Sequence, residues 1–240
     1  MVYSEDHARI GEWAPLLMEG RDPAEPIATT YSEQGTDLDF GALTRSLFAY
    51  LNTQSGVHLQ TRAEVRDLER RKSGNWTVEI KDLKDDSKEV VVARKVFIGA
   101  GGGTLPLLER SDIPEARGYG GFPVSGQWLR CTSRAVIERH HAKIYGKAAV
   151  GAPPMSVPHL DARAIAGAPA LLFGPFAGFS TKFLKHGSWL DLPASVKWDN
   201  IRPLLQAGWA NMDLTRYLIE QVRLEPQERM AALREFMPEA

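Results

Sequence analysis

A mixed α/β fold built from two interleaved domains is predicted by three features of the 240-residue chain. Helical and strand periodicities succeed one another through the first half, a strand-like run ends in clustered glycines close to residue 100, and the residue texture changes near Gly118 and near Pro193. These changes divide the chain into residues 1–117 (helix, strand, meander and glycine turn), residues 118–193 (an antiparallel sheet rich in glycine, proline and aromatics) and residues 194–240 (helical).

Ile10, Trp13, Leu17 and Met18 recur at helical spacing between Glu5 and Met18, and a loop with two prolines follows to Thr30. Asp39 is placed to cap a helix over about residues 41–52, since its carboxylate can accept free N–H groups of the first turn. Leu43, Leu47, Phe48 and Leu51 give that helix one apolar face, and Gly56 stops it. Val57 to Thr61 alternates as a short strand leading into Ala63-Glu-Val-Arg-Asp-Leu. Trp76 to Lys81 alternates clearly, and Glu89 to Ala93 is its hairpin partner across a charged turn. Lys95 to Ile98 is predicted as a strand running into glycine. Beyond Gly118, strand-like runs occur at Phe122–Cys131, His141–Tyr145 and Ala170–Phe176. Helices are predicted at about 199–209, 214–223 and 226–236, with Asp213 capping the second and Pro226 in the first turn of the third.

Composition excludes several classes of function. A formal net charge of -1 argues against nucleic acid as a partner, because a phosphate-binding face needs an excess of Lys and Arg. Cys131 is the single cysteine, so neither an intramolecular disulfide nor a Cys-based zinc site can form, and a reducing, cytoplasmic setting is expected. The first residues, Met-Val-Tyr-Ser-Glu-Asp-His, lack the basic and apolar regions of a signal peptide. The longest apolar run, Ala168 to Phe179, is too short to span a bilayer, so any membrane contact is expected to be peripheral. The adjacent His140 and His141 sit at a strand entry and point to opposite faces, and no metal site is expected.

Two stretches carry chemistry. In Phe97-Ile-Gly-Ala-Gly-Gly-Gly-Thr, residues Gly99, Ala100, Gly101 and Gly102 let backbone N–H groups come close to a phosphate or a planar ring. A dinucleotide fingerprint would need Gly or Ala where Thr104 stands, and the helix that follows is short, with Pro106 in its first turn. The turn therefore reads either as a second glycine contact with a large cofactor or as a structural strand-to-helix turn. In Lys147 to Arg163, Pro153, Pro154 and Pro158 stiffen a loop carrying His159 and Arg163, a proton acceptor and a bidentate anion clamp. The alternative there is a buried proline-rich turn with a satisfied histidine.

The order of helix, short strand, meander and Lys-Val-Phe-Ile-Gly-Ala-Gly-Gly resembles the FAD domain of the D-amino-acid-oxidase-like flavoproteins. Gly118 to Arg130, Gly151 to Arg163 and Leu172 to Lys185 look specifically like the malate:quinone oxidoreductase family, and the resemblance runs over essentially the whole chain. It implies an incomplete FAD-binding domain of the D-amino-acid-oxidase or glutathione-reductase type, interleaved with an antiparallel substrate-domain sheet. It also implies FAD contacts at Val65, Gly99, Ala100, Gly101 and Gly102, and oxidation of (S)-malate to oxaloacetate in the tricarboxylic acid cycle. Electrons would pass to a membrane quinone, from a position peripheral to the inner face of the cell membrane. Family members begin with a Gly-x-Gly-x-x-Gly segment and end with a stretch that returns to the flavin. Neither is found in this sequence, so the chain is expected to be a central fragment that binds FAD weakly or not at all by itself.

Malate is a hydroxy-diacid and needs at least two cationic anchors and a base. Arg163 and Lys182 are the candidates for its carboxylates, with Thr181 and Gln127 as neutral donors. His159 is the candidate base, or else a hydrogen-bonding partner only, and Asp161 is placed to set its tautomer. Trp128, Phe122, Phe173, Phe176 and Phe179 read as a cavity wall or as core. A 2-hydroxyglutarate-type flavin oxidoreductase and a non-catalytic remnant are the competing readings.

Overall fold

A computed structural model describes residues 1–147 and 157–240. In chain order its first half holds β1 (Val2–Ser4), α1 (His7–Trp13), α2 (Pro15–Met18), β2 (Thr29–Tyr31), α3 (Phe40–Leu51), β3 (Ala63–Arg70), β4 (Trp76–Asp82) and β5 (Lys88–Ala93). A 3₁₀ turn (Gly101–Gly103) leads into α4 (Thr104–Arg110). Then come β6 (Val124–Cys131), α5 (Arg134–Ile137), β7 (Lys143–Tyr145), β8 (His159–Ile165) and β9 (Ala168–Phe179). The last part holds α6 (Asp191–Ser195), α7 (Ile201–Ala210), α8 (Met212–Arg223) and α9 (Pro226–Phe236). The fold is mixed α/β, and its paired strands are antiparallel.

Local chemistry explains most of these elements. The Asp6 carboxylate accepts from the Ala8 and Arg9 N–H groups at the start of α1, and Asp39 accepts from Ala42 N–H at 2.9 Å at the start of α3. The predicted single helix from Glu5 to Met18 is broken at Ala14 (φ -146, ψ 75), because Pro15 disfavours helical backbone in the residue before it. Two further expectations are corrected. Neither Val57–Thr61 nor Lys95–Ile98 joins a sheet among the described residues. Alternation alone does not make a strand; a ladder partner must take up its backbone groups, and none of the described strands does so. The segment expected to be a stiff loop around His159 is strand β8, while Pro153 and Pro154 lie outside the described residues.

The chain divides into two compact units. One comprises residues 1–54, 125–178 and 217–240. Its centre is the four-stranded sheet of order β6-β9-β8-β7, and the β8–β9 hairpin turns through Ala166 (φ 51) and Gly167 (φ 79). Positive φ at both central residues matches the right-handed twist of the flanking strands. One sheet face carries Leu160, Leu171 and Phe173 into a core shared with Leu16 and Leu17 of α2 and with Met237. Phe173 meets the rings of Phe176 and Phe236 edge-on at 5.8 and 5.2 Å.

The other unit comprises residues 55–124 and 179–216. Its β3-β4-β5 meander buries Leu68 and Val78. Arg110, in the last turn of α4, donates from Nη1 to the Arg66 carbonyl at 2.7 Å and ties that helix to β3. Asn200 is buried and fully used: its amide donates to the Ser195 and Tyr119 carbonyls, and its Oδ1 accepts from Lys197 N–H at 2.7 Å.

Candidate functional site

Strand β8 positions the first group of candidate residues. Side chains alternate across a strand, so with Leu160 and Ala162 packed on the core, His159, Asp161 and Arg163 share the opposite face. His159 lies opposite Tyr145 on β7 and Gly174 on β9. Its ring is 4.7 Å from the Tyr145 ring and 6.2 Å, edge-on, from that of Trp128 on β6. Gly174 is needed for this approach, since a Cβ there would come within 2.8 Å of the Gln127 carbonyl oxygen and 3.0 Å of the Trp128 indole. Trp128 faces His159, so the neighbouring Gln127 is directed to the other side of β6.

Arg163 is already charge-paired. Its Nε lies 3.0 Å from Asp37 Oδ1, and its Nη1 lies 3.7 Å from Asp161 Oδ2. Lys143 Nζ donates to the same Asp37 Oδ1 at 3.0 Å, and Ala164 N–H donates to Oδ2 at 2.8 Å. The Ala164 N–H and then the Lys143 ammonium hold the Asp37 carboxyl below the usual carboxylate range, with Arg163 adding to the effect. Lys143 stands opposite Asp161 in the β7–β8 register. Asp161 is only 3% exposed, and its Oδ1 has no hydrogen-bond partner among the described residues. The result is a cluster of two carboxylates and two cations beside an imidazole. Sequence reasoning missed Asp37 and Lys143. Asp37 stands two residues before a helix cap and looks like local turn chemistry, and its partners are 106 and more residues away along the chain.

The remaining candidates, Val65, the glycine turn, Thr181 and Lys182, belong to the second unit. The Lys182 ammonium sits 4.5 Å from the centroid of the Trp189 indole, and its backbone N–H donates to Ser180 Oγ at 3.1 Å. The Thr181 carbonyl accepts from Leu192 N–H at 3.0 Å. Val65 pairs with Ile80 beside a bulge in β3. The glycines of the turn are not equivalent. A Cβ at Gly102 would overlap the Phe183 carbonyl oxygen, so that glycine serves packing within the chain. Gly101 adopts φ +55, and no heavy atom lies within 4 Å of the position its Cβ would take. The Cβ side is thus open at Gly101 and filled by the Phe183 carbonyl at Gly102. Of the candidate aromatics, Phe173 and Phe176 are core; Trp128 and Phe122 are exposed.

Chemically, the sheet face offers an imidazole, a guanidinium with one edge occupied and an ammonium, a set suited to an anion that carries a transferable proton. The family model described as malate:quinone oxidoreductase matches residues 1–240. A probable malate:quinone oxidoreductase of Flavobacterium johnsoniae is 58% identical over the whole chain, which covers 48% of that protein. Probable malate:quinone oxidoreductase 2 of Pseudomonas aeruginosa and a probable malate:quinone oxidoreductase of Bradyrhizobium diazoefficiens are each 55% identical over the whole chain, which covers 47% of each. The chain thus spans about half the length of the curated relatives it matches.

Proposed function

We propose, from the premise that the chain belongs to the malate:quinone oxidoreductase family, that it forms the substrate-facing sheet and part of the cofactor domain of an FAD-dependent enzyme oxidising (S)-malate to oxaloacetate. The fold proposed for the complete protein is that of the D-amino-acid-oxidase-like flavoproteins, with electrons passing to a membrane quinone. Peripheral attachment at the inner, cytoplasmic face of the membrane belongs to the same reading. No helix among the described residues is long and apolar enough to cross a membrane. The observation that carries the proposal is the placement of His159 and Arg163 on one face of one strand, beside Lys143.

In this reading His159 accepts the hydroxyl proton of malate as the general base, a role that contributes about 10²–10⁴-fold. Arg163 takes one carboxylate through the guanidinium edge that Asp37 leaves free. Trp128 and Tyr145 flank the imidazole. Val65, Gly99, Ala100, Gly101 and Gly102 are the proposed FAD contacts, and acceptance of two electrons from the hydroxyl-bearing carbon is the chemistry that FAD would supply when bound. The 240-residue chain by itself is expected to purify with little or no flavin.

The test is turnover of the complete enzyme with malate and with 2-hydroxyglutarate side by side, using a quinone acceptor. Malate is expected to be preferred, and a His159→Ala variant is expected to lose at least about tenfold in kcat. Preference for the longer acid would replace the substrate assignment, and unchanged turnover of the variant would remove His159 from the chemistry.

A further inference from the structure

We propose that Asp37 and Lys143 are positioning residues for Arg163, holding its guanidinium so that the Nη edge meets a substrate carboxylate; this rests on the hydroxy-diacid reading above. Both oxygens of Asp37 are committed. Oδ2 is fixed by the Ala164 N–H at 2.8 Å, and Oδ1 is shared between Lys143 Nζ and Arg163 Nε, each at 3.0 Å. A carboxylate tied to strand backbone in this way cannot swing, so it fixes the negative charge against which the Nε side of Arg163 rests. The Nε side is engaged by the Asp37 charge in an ion pair at 3.0 Å. The Nη1 approach to Asp161 is 3.7 Å, too long for a hydrogen bond, and the fork formed by the two Nη groups stays available to a planar anion.

Two features separate this cluster from a purely structural ion network. A structural network is closed, with every buried polar atom satisfied, whereas Asp161 Oδ1 is buried here without a hydrogen-bond partner among the described residues. The four formal charges also cancel, so the cluster exerts little net pull on a distant dianion. Capture then depends on short-range fork geometry, which is what an ordered Nε contact supplies.

The experiment uses the complete enzyme carrying Asp37→Ala, Asp37→Glu or Lys143→Met. It measures malate kinetics together with calorimetric binding of succinate, a dicarboxylate without the reacting hydroxyl. For Asp37→Ala and Lys143→Met, KM for malate and Kd for succinate are both expected to rise about tenfold while kcat stays within about threefold, and Asp37→Glu recovers part of the affinity. Unchanged KM and Kd with only a lower melting temperature would overturn the proposal. So would tighter binding in Asp37→Ala, which would make Asp37 a source of repulsion. If Asp37→Ala does not fold, Lys143→Met and Asp37→Glu decide the matter. Should the wild-type enzyme not oxidise malate, the functional reading fails separately, and the succinate Kd still reports whether the fork is positioned.

Discussion

Gly102 illustrates how packing within the chain can by itself require glycine. Glycine-rich turns after a strand invite a cofactor reading, yet the bare side of Gly102 is filled by the Phe183 carbonyl, from a segment 81 positions later in the chain. Replacement by alanine forces backbone apart, so Gly102→Ala is expected to destabilise the protein by about 1–3 kcal/mol in urea unfolding, the usual scale for overpacking. An unaltered midpoint would mean that the Phe183 segment can move away at little cost. His159 and Arg163 show the opposite case. Their four-residue spacing on one short segment was visible in the sequence, and strand alternation turns that spacing into a shared face. On β6 it is Trp128, the neighbour of Gln127, whose ring meets His159.

At the scale of elements, helices were legible where a cap and an apolar period agree. Helix α9 runs over the predicted residues 226–236 with Pro226 in its first turn, and a reciprocal capping box joins Glu225 and Glu228, the Glu225 N–H donating to Glu228 Oε2 at 2.7 Å. Its Leu233 and Phe236 pack on the core of the first unit. Loss of the box in Glu228→Ala is expected to cost about 0.5–2 kcal/mol, read as a lower urea midpoint with unchanged slope. Helix α3 has its predicted cap and period, but Leu43, Leu47, Phe48 and Leu51 are all exposed and no residue of the helix is buried. Period reveals which face of a helix is apolar; whether anything covers that face depends on partners the period does not encode. The same limit explains Val57–Thr61, where alternation stands without a ladder, and Lys95–Ile98, whose apolar run has no ladder partner among the described residues.

At the scale of the whole molecule, acid sensitivity follows from His140. It is 1% exposed, and neither ring nitrogen makes a well-formed hydrogen bond among the described residues. Burial pushes the imidazole pKa down and the neighbouring His141 adds to the shift, while a looser approach to the Ala142 backbone works the other way. In the unfolded chain His140 titrates near 6.5, so below about that pH the unfolded state binds the extra proton. Its contribution to stability is therefore complete above about pH 6.5 and is lost as pH falls toward the lower folded value. Urea midpoints are expected to drop as pH falls below about 6.5, and His140→Gln is expected to flatten that drop. A parallel decline in the variant would assign the sensitivity to other groups. Family membership, the mixed α/β class and the candidate base and guanidinium were all determined by the sequence itself, because motif identity, periodicity and residue chemistry are local properties of a chain. The pairing of Asp37 with Lys143, Ala164 and Arg163, the Phe183 carbonyl against Gly102 and the uncovered face of α3 were decided only by the tertiary structure. Each depends on which distant segments meet, and the free energy of such contacts is set by three-dimensional proximity that linear spacing does not record.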